Sequence, residues 1–191
     1  MKPMKIPSRK LATARLFAAS RGDPRAYLHG VLFDYDQERI VSTDGKTLCV
    51  IPCTFGDDKP TGRALYLLPR GGLGYYCELT DGTLTTYNRR GEEQECYRLF
   101  TQDASKYPYF DRLLPTDGDV PQSGQIYLNN SNWRLISRVL PANCTLKVTV
   151  YKSDTIHDGV VEVRANDNDN YEELRGIRLL LGPSVWERKE L

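Results

Sequence analysis

Two neighbouring apolar runs constrain this chain most. Residues 26–35 (Ala-Tyr-Leu-His-Gly-Val-Leu-Phe-Asp-Tyr) and 39–51 (Arg-Ile-Val-Ser-Thr-Asp-Gly-Lys-Thr-Leu-Cys-Val-Ile) are joined by Asp36-Gln37-Glu38, and Asp44-Gly45 breaks the second run. β-Branched and aromatic residues in short runs bounded by turn residues fit a pleated, half-buried surface. The two segments therefore read as a pair of strands. The 12 Tyr and 5 Phe against 2 Met point to a strand-rich interior for the rest of the 191 residues.

The remaining elements follow from period and punctuation. Leu11, Ala14, Ala18 and the Leu16/Phe17 pair form a stripe of helical spacing, so residues 7–20 read as a helix, started at Pro7-Ser8 and stopped at Gly22-Asp23-Pro24. Tyr66–Leu68 is a short apolar run ended by the flexible Pro69-Arg-Gly-Gly-Leu-Gly74. Residues 75–88 and 94–101 read as a Thr- and Tyr-rich hairpin around Arg89-Arg90-Gly91. A loop covers 103–115, a linker 116–124 and a strand 125–129. A helix capped by Asn130 or Ser131 then places Trp133, Ile136, Val139 and Leu140 on one face, with Arg134 and Arg138 elsewhere. Strands at 144–152, 157–165 and 173–181 finish the chain. The element order β-α-β-β-β recurs as a weak repeat of about 60 residues.

Charge and cysteine content exclude several classes. Lys+Arg (26) nearly cancels Asp+Glu (25), so no net field draws the whole chain to nucleic acid, but residues 1–22 are basic without an acid and 154–173 are acidic. The five cysteines lack zinc-finger spacing and read as reduced cytosolic thiols. No signal-peptide h-region or membrane-length apolar run appears, so a cytoplasmic protein is expected, and Asn129-Asn-Ser and Asn143-Cys-Thr are chance glycosylation matches. His29 and His157 are the only histidines, and no catalytic motif surrounds them. Gly71-Gly-Leu-Gly74 precedes strands rather than a helix, which argues against phosphate binding. Asn166-Asp-Asn-Asp-Asn170 lacks the register of a calcium loop. A non-enzyme without cofactor or metal is expected.

Three stretches resemble the bacterial β sliding clamp family, the rings that hold replicative polymerase on DNA. Arg25–Phe33 with Val41–Val50 is similar to the first half of the clamp's middle domain. Leu65-Tyr-Leu-Leu-Pro-Arg70, followed by Tyr107-Pro-Tyr-Phe-Asp-Arg-Leu-Leu-Pro115, is similar to its second half. Residues 125–183 resemble a last half-domain in element order. The resemblance implies an α+β fold of clamp-like β-α-β-β-β half-motifs, with antiparallel sheets and two helices on one face. It implies a domain at 1–118 (half-motifs 4–57 and a degraded 62–115) and a third half-motif at 119–191. The departures are material for one and a half domains rather than three, no helix between Leu68 and Tyr75, Lys46-Thr47 in place of His-Arg, His29 in place of Asn, and Ala26 in place of a tyrosine.

What the resemblance implies for function is a non-catalytic protein of DNA replication or repair. Its peptide groove, carried over residue by residue, comprises Leu28, Thr43, Gly45, Lys46, Thr47, Leu48, Pro108, Leu113, Leu180 and Pro183, and would take short apolar motifs of polymerases and repair proteins. A DNA-facing surface would use Arg9, Lys10, Arg15, Arg21, Arg25, Tyr27, Arg70, Arg134 and Arg138 against phosphate, without sequence preference. Three half-motifs per chain would let four copies form a ring of twelve. The alternative is a clamp-derived adaptor or decoy that keeps the groove and does not encircle DNA.

Overall fold

The computed structural model describes residues 2–115, 130–140, 144–153, 156–165 and 175–181. The expected linker at 116–124, the strand at 125–129, the Asn166–Asn170 turn and Pro183 lie outside them. The chain divides into unit 1, Met1–Tyr107, and unit 2, Pro108–Leu191.

Unit 1 consists of strand β1 (Met4–Pro7), helix α1 (Ser8–Phe17) and strands β2 (Val31–Asp34), β3 (Arg39–Thr43), β4 (Thr47–Pro52), β5 (Arg63–Leu67), β6 (Tyr76–Thr80), β7 (Thr83–Tyr87), β8 (Glu93–Arg98) and β9 (Phe100–Gln102). The pairings among these strands are antiparallel, and they exchange strands between two halves. β1 lies beside β6, Ile6 opposite Cys77, in the order β1-β6-β7-β8. β5 lies beside β2, Leu65 opposite Leu32, in the order β4-β3-β2-β5-β9. Each half thus gives its first strand to the sheet of the other.

The sequence accounts for the central strands. β2 is buried at all four positions and β4 at five of six, as expected of strands covered on both faces. Phe33 packs edge-on against Tyr66 at 5.2 Å and near Phe55 at 5.9 Å, and Tyr35 donates to Tyr66 Oη at 3.3 Å. Helix α1 buries Leu11, Ala14 and Phe17 and touches β3 and β4 in one sheet and β1 and β6 in the other. It is shorter than the expected 7–20: Ala18 is extended and half-buried, and Leu16 is exposed.

No helix forms between β5 and β6. Pro69–Gly74 lies instead as a loop along β7 and β8. A Cβ on Gly71 would fall 2.4 Å from Tyr97 Oη, and one on Gly74, where φ is +63°, 2.4 Å from the Tyr87 carbonyl oxygen. α1 holds this loop from the other side. Ser8 Oγ donates to the Leu73 carbonyl, and Arg15 Nη1 donates to Pro69 O at 2.5 Å and Gly71 O at 2.9 Å.

Several boundaries differ from expectation. Residues 26–28 form a 3-10 turn, with Leu28 N–H donating to Arg25 O and His29 N–H to Ala26 O, and the strand starts only at Val31. The 39–51 run is two strands reversed at Asp44-Gly45. The 75–88 run is likewise two, reversed at Asp81 and Gly82, whose φ values of +49° and +74° suit a tight hairpin.

Unit 2 contains helix α2 (Asn130–Val139) and an antiparallel meander of β10 (Leu146–Ser153), β11 (Ile156–Ala165) and β12 (Arg178–Leu181). Buried Glu162 anchors it, accepting from Arg164 at 2.8 Å and from Arg178. α2 buries Asn132, Ile136 and Val139, and Leu140 directly after it is also buried, whereas Trp133, expected on that face, is 46% exposed. The buried face therefore passes through Asn132 rather than Trp133. The fold class is α+β with antiparallel sheets.

Candidate peptide and nucleic-acid interfaces

The residues expected to bind peptide are built around the β3–β4 reversal. Gly45, at φ +87°, supplies a conformation that L side chains rarely adopt. Asp44 Oδ1 accepts from Lys46 N (2.9 Å), Thr47 N (2.7 Å) and Thr47 Oγ1 (3.0 Å), closing an Asx turn. Thr43 Oγ1 donates to Thr47 O at 2.6 Å and accepts from Gly45 N at 3.0 Å. Thr43 and Thr47 are buried and hold the turn, while Gly45 and Lys46 are exposed. Leu28 and Leu48 sit in the core, 1% and 3% exposed. In unit 2, Leu180 is buried, Leu113 half-buried and Pro108 exposed.

Two residues that sequence reasoning missed complete this turn. Asp23 grips Arg25 with both oxygens, at 2.9 Å from Nε and 2.7 Å from Nη2, and Arg25 Nη2 also donates to Asp44 O at 3.0 Å. Asp23 and Asp44 thus position Arg25 over Gly45, where a Cβ would fall 2.5 Å from Nη1. The i, i+2 spacing of Asp23-Pro24-Arg25 was the available signal.

The Arg25 guanidinium holds the Asp23 carboxyl well below the usual carboxylate range. Its folded pKa lies below its unfolded one, so the bridge is complete above the ordinary range and is lost only as pH falls through the depressed value. An NMR titration of the Asp23 carboxyl should show that low midpoint. In Arg25→Ala the midpoint should rise toward normal, and the amides of Lys46 and Thr47 should exchange faster. An unchanged midpoint would refute the bridge.

The expected DNA-facing cations divide into two sets. In unit 1 Lys10 donates to Pro52 O at 2.7 Å, Arg15 to the loop, and Arg25 to Asp23, so these cations already hold protein groups. Arg21 and Arg70 are exposed, Arg9 is half-buried in α1, and Tyr27 is half-buried in the 3-10 turn. In unit 2, Arg134 and Arg138, four residues apart, are both exposed on α2. A cavity of about 280 Å³ in unit 1, lined by Met4, Tyr66, Leu79 and Arg98 among others, contains none of the expected site residues. Among the described residues no cluster of three His, Cys, Asp or Glu could hold a metal, and no helix is long and apolar enough to cross a membrane.

The fold recurs in solved structures. The chain superposes on the DNA polymerase III β chain of Streptococcus pneumoniae with a TM-score of 0.60 over 97% of its residues, at 16% identity. This is a sliding-clamp fold. A putative DNA polymerase III β subunit from Eubacterium rectale gives 0.58 at 12% identity, and the β subunit from Pseudomonas aeruginosa 0.58 at 16%, each over 97% of this chain. The chain spans 65–66% of the length of those clamp chains. No protein-family model matches the sequence, and no curated protein matches it. The likeness to sliding clamps therefore lies in the fold rather than in residue identity.

Proposed function

We propose that this chain is a non-catalytic, clamp-like protein of DNA replication or repair that binds short apolar peptide motifs of polymerases and repair proteins. The observation that carries this reading is the fold shared with DNA polymerase III β chains over 97% of this chain. The Thr43–Leu48 turn supports the peptide side of it. It is pre-formed by its own hydrogen bonds and by Arg25, which lowers the ordering cost of binding. Self-association and non-sequence-specific contact with duplex DNA belong to the same reading, with Arg21, Arg70, Arg134 and Arg138 as the exposed cations.

A specific observation favours the second reading, an adaptor or decoy that keeps the peptide groove without encircling DNA. The slot between β5 and β6 holds a glycine loop, and Lys10, Arg15 and Arg25 are tied to protein groups. That leaves fewer cations for phosphate than the sequence promised.

Fluorescence anisotropy with a labelled apolar clamp-binding peptide tests the shared part of both readings. Saturable binding in the micromolar range is expected, weakened about tenfold or more by Gly45→Asp, an exposed position where a new charge opposes an apolar ligand and the +87° φ is strained. No binding by the wild type would remove the peptide function. Retention on duplex DNA that weakens steeply with salt would favour the first reading over the second.

A further inference from the structure

The cavity of unit 1 is built from both of its sheets, and none of the residues expected to bind peptide or DNA lines it. Met4 on β1 and its cross-strand partner Leu79 on β6 line it from one sheet. Tyr66 on β5 and its partner Thr101 on β9 line it from the other. The chain passes between the two sheets at Leu99, which also lines the cavity. Leu99 N–H donates to Gly82 O at 2.8 Å, so this crossing is tied to the β6–β7 reversal. At about 280 Å³ the cavity is close to the lower end of the roughly 300–1,000 Å³ found for small-ligand sites.

Its floor and its rim differ in chemistry. Met4, Leu79, Leu99 and Tyr66 are buried, and they offer an apolar surface against which a ligand body loses its water. Asp81, Arg98 and Thr101 are exposed at the mouth. Arg39 and Arg63 sit on the buried Asp34 carboxylate, and Arg164 and Arg178 on that of Glu162. Arg98 is different. Its Nη1 donates to the Asp81 carbonyl oxygen at 3.3 Å, and it makes no ion pair among the described residues. A guanidinium carries five donors in a planar fork that matches a carboxylate, so Arg98 keeps donors for one. The Asp81 carboxylate shares this rim and repels a second negative charge.

We infer that this cavity binds a small organic monoanion, with an aryl or short aliphatic body against Met4, Leu79 and Leu99 and its carboxylate on the Arg98 guanidinium. A neutral ligand of the same shape forgoes the charge-assisted hydrogen bonds. A dianion of the same shape meets Asp81. The site lies within unit 1 and goes beyond the proposed function, since it depends on neither peptide nor DNA binding.

Titration of 3-phenylpropionate into the full chain, followed through amide shifts in NMR spectra, tests it. Saturable shifts at Leu79, Gly82, Leu99 and Thr101 are expected, with a Kd on the order of 1 mM for so small a ligand. The neutral 3-phenylpropionamide and phenyl phosphate, largely a dianion at neutral pH, should each bind about fivefold more weakly or worse. Arg98→Gln should weaken the carboxylate by a similar factor of about five and leave the amide unchanged. Arg90→Gln, an exposed position between β7 and β8, should change neither. The absence of saturable shifts at about 10 mM ligand overturns the inference. So do shifts confined to Thr43–Leu48, which would put the ligand on the peptide turn instead. Equal affinity for the carboxylate and either analogue, or an Arg98→Gln chain that binds the carboxylate as the wild type does, has the same consequence. If Arg98→Gln does not fold, the three ligands on the wild type decide. A chain that binds 3-phenylpropionate in this cavity and no clamp-binding peptide refutes the proposed function alone, while one that binds the peptide and leaves the cavity empty refutes this inference alone.

Discussion

Asp34→Asn should destabilise unit 1 by about 3 kcal/mol, the lower end of what removing one partner of a buried ion pair costs. Asp34 is 1% exposed at the end of β2. Its Oδ2 accepts from Arg39 Nε at 3.1 Å and Nη2 at 2.9 Å, and lies 3.2 Å from Arg63 Nη2. Arg39 and Arg63 are its cross-strand partners on β3 and β5. One carboxylate thus ties three strands and bridges the two halves of unit 1. Asparagine keeps the shape and removes the charge, so the loss reports electrostatics rather than packing. Arg63→Met, which leaves Arg39 on the carboxylate, should cost only about 1 kcal/mol, because the Arg63 side chain is 39% exposed and solvent screens it. Urea unfolding followed by circular dichroism measures both. An unchanged midpoint for Asp34→Asn would show that the pair does not hold the junction.

Gly74→Ala should cost roughly 2–4 kcal/mol, combining a left-handed backbone position with an overpacked contact. Its Cβ would lie 2.4 Å from the Tyr87 carbonyl oxygen and 2.8 Å from Gln94 Oε1. The Tyr87 carbonyl cannot retreat cheaply, since it accepts from Tyr75 N–H at 2.6 Å beside the β7–β8 ladder. Gly72→Ala is the matched control: a Cβ there meets nothing within 4 Å and its φ is ordinary, so its effect should stay within about 0.5 kcal/mol. Equal effects at the two positions would mean that the loop does not lie flat over β7 and β8. The difference matters for function, because this loop occupies the place of a second helix in unit 1.

The legible parts of this fold were those written in local period and punctuation. Alternation at 39–51 marked extended chain there, although the run read as one strand interrupted at Asp44-Gly45 is two, β3 and β4. Helical spacing gave α1 and α2. The Asp81-Gly82 reversal carried the same kind of signal as Asp44-Gly45 but was masked by the continuous Thr and Tyr run on both sides of it. Residues 26–28 look extended by composition, yet two local backbone hydrogen bonds curl them into a turn. On α2 the bulk of Trp133 suggested burial, while the buried positions, 132, 136, 139 and 140, place Asn132 on the stripe instead. The exchange of β1 and β5 leaves no local trace, because each strand pairs across the other half.

The candidate site was legible by residue type and not by engagement. Sequence identifies Lys10, Arg15 and Arg25 as cations, but only the folded chain shows that Pro52 O, Pro69 O and Asp23 hold them. In the same way Leu28 and Leu48 read equally well as groove or core, and only their 1% and 3% exposure places them in the core of unit 1.

The strand exchange is the claim on which the clamp reading stands, and cross-strand proton contacts in NMR spectra test it most directly. Contacts joining Met4 to Leu79 and Ile6 to Cys77, together with Leu32 to Leu65 and Phe33 to Ala64, are expected. A chain in which β1 instead pairs with β2, and β5 with β6, would have two self-contained halves, and that result would contradict the sliding-clamp fold.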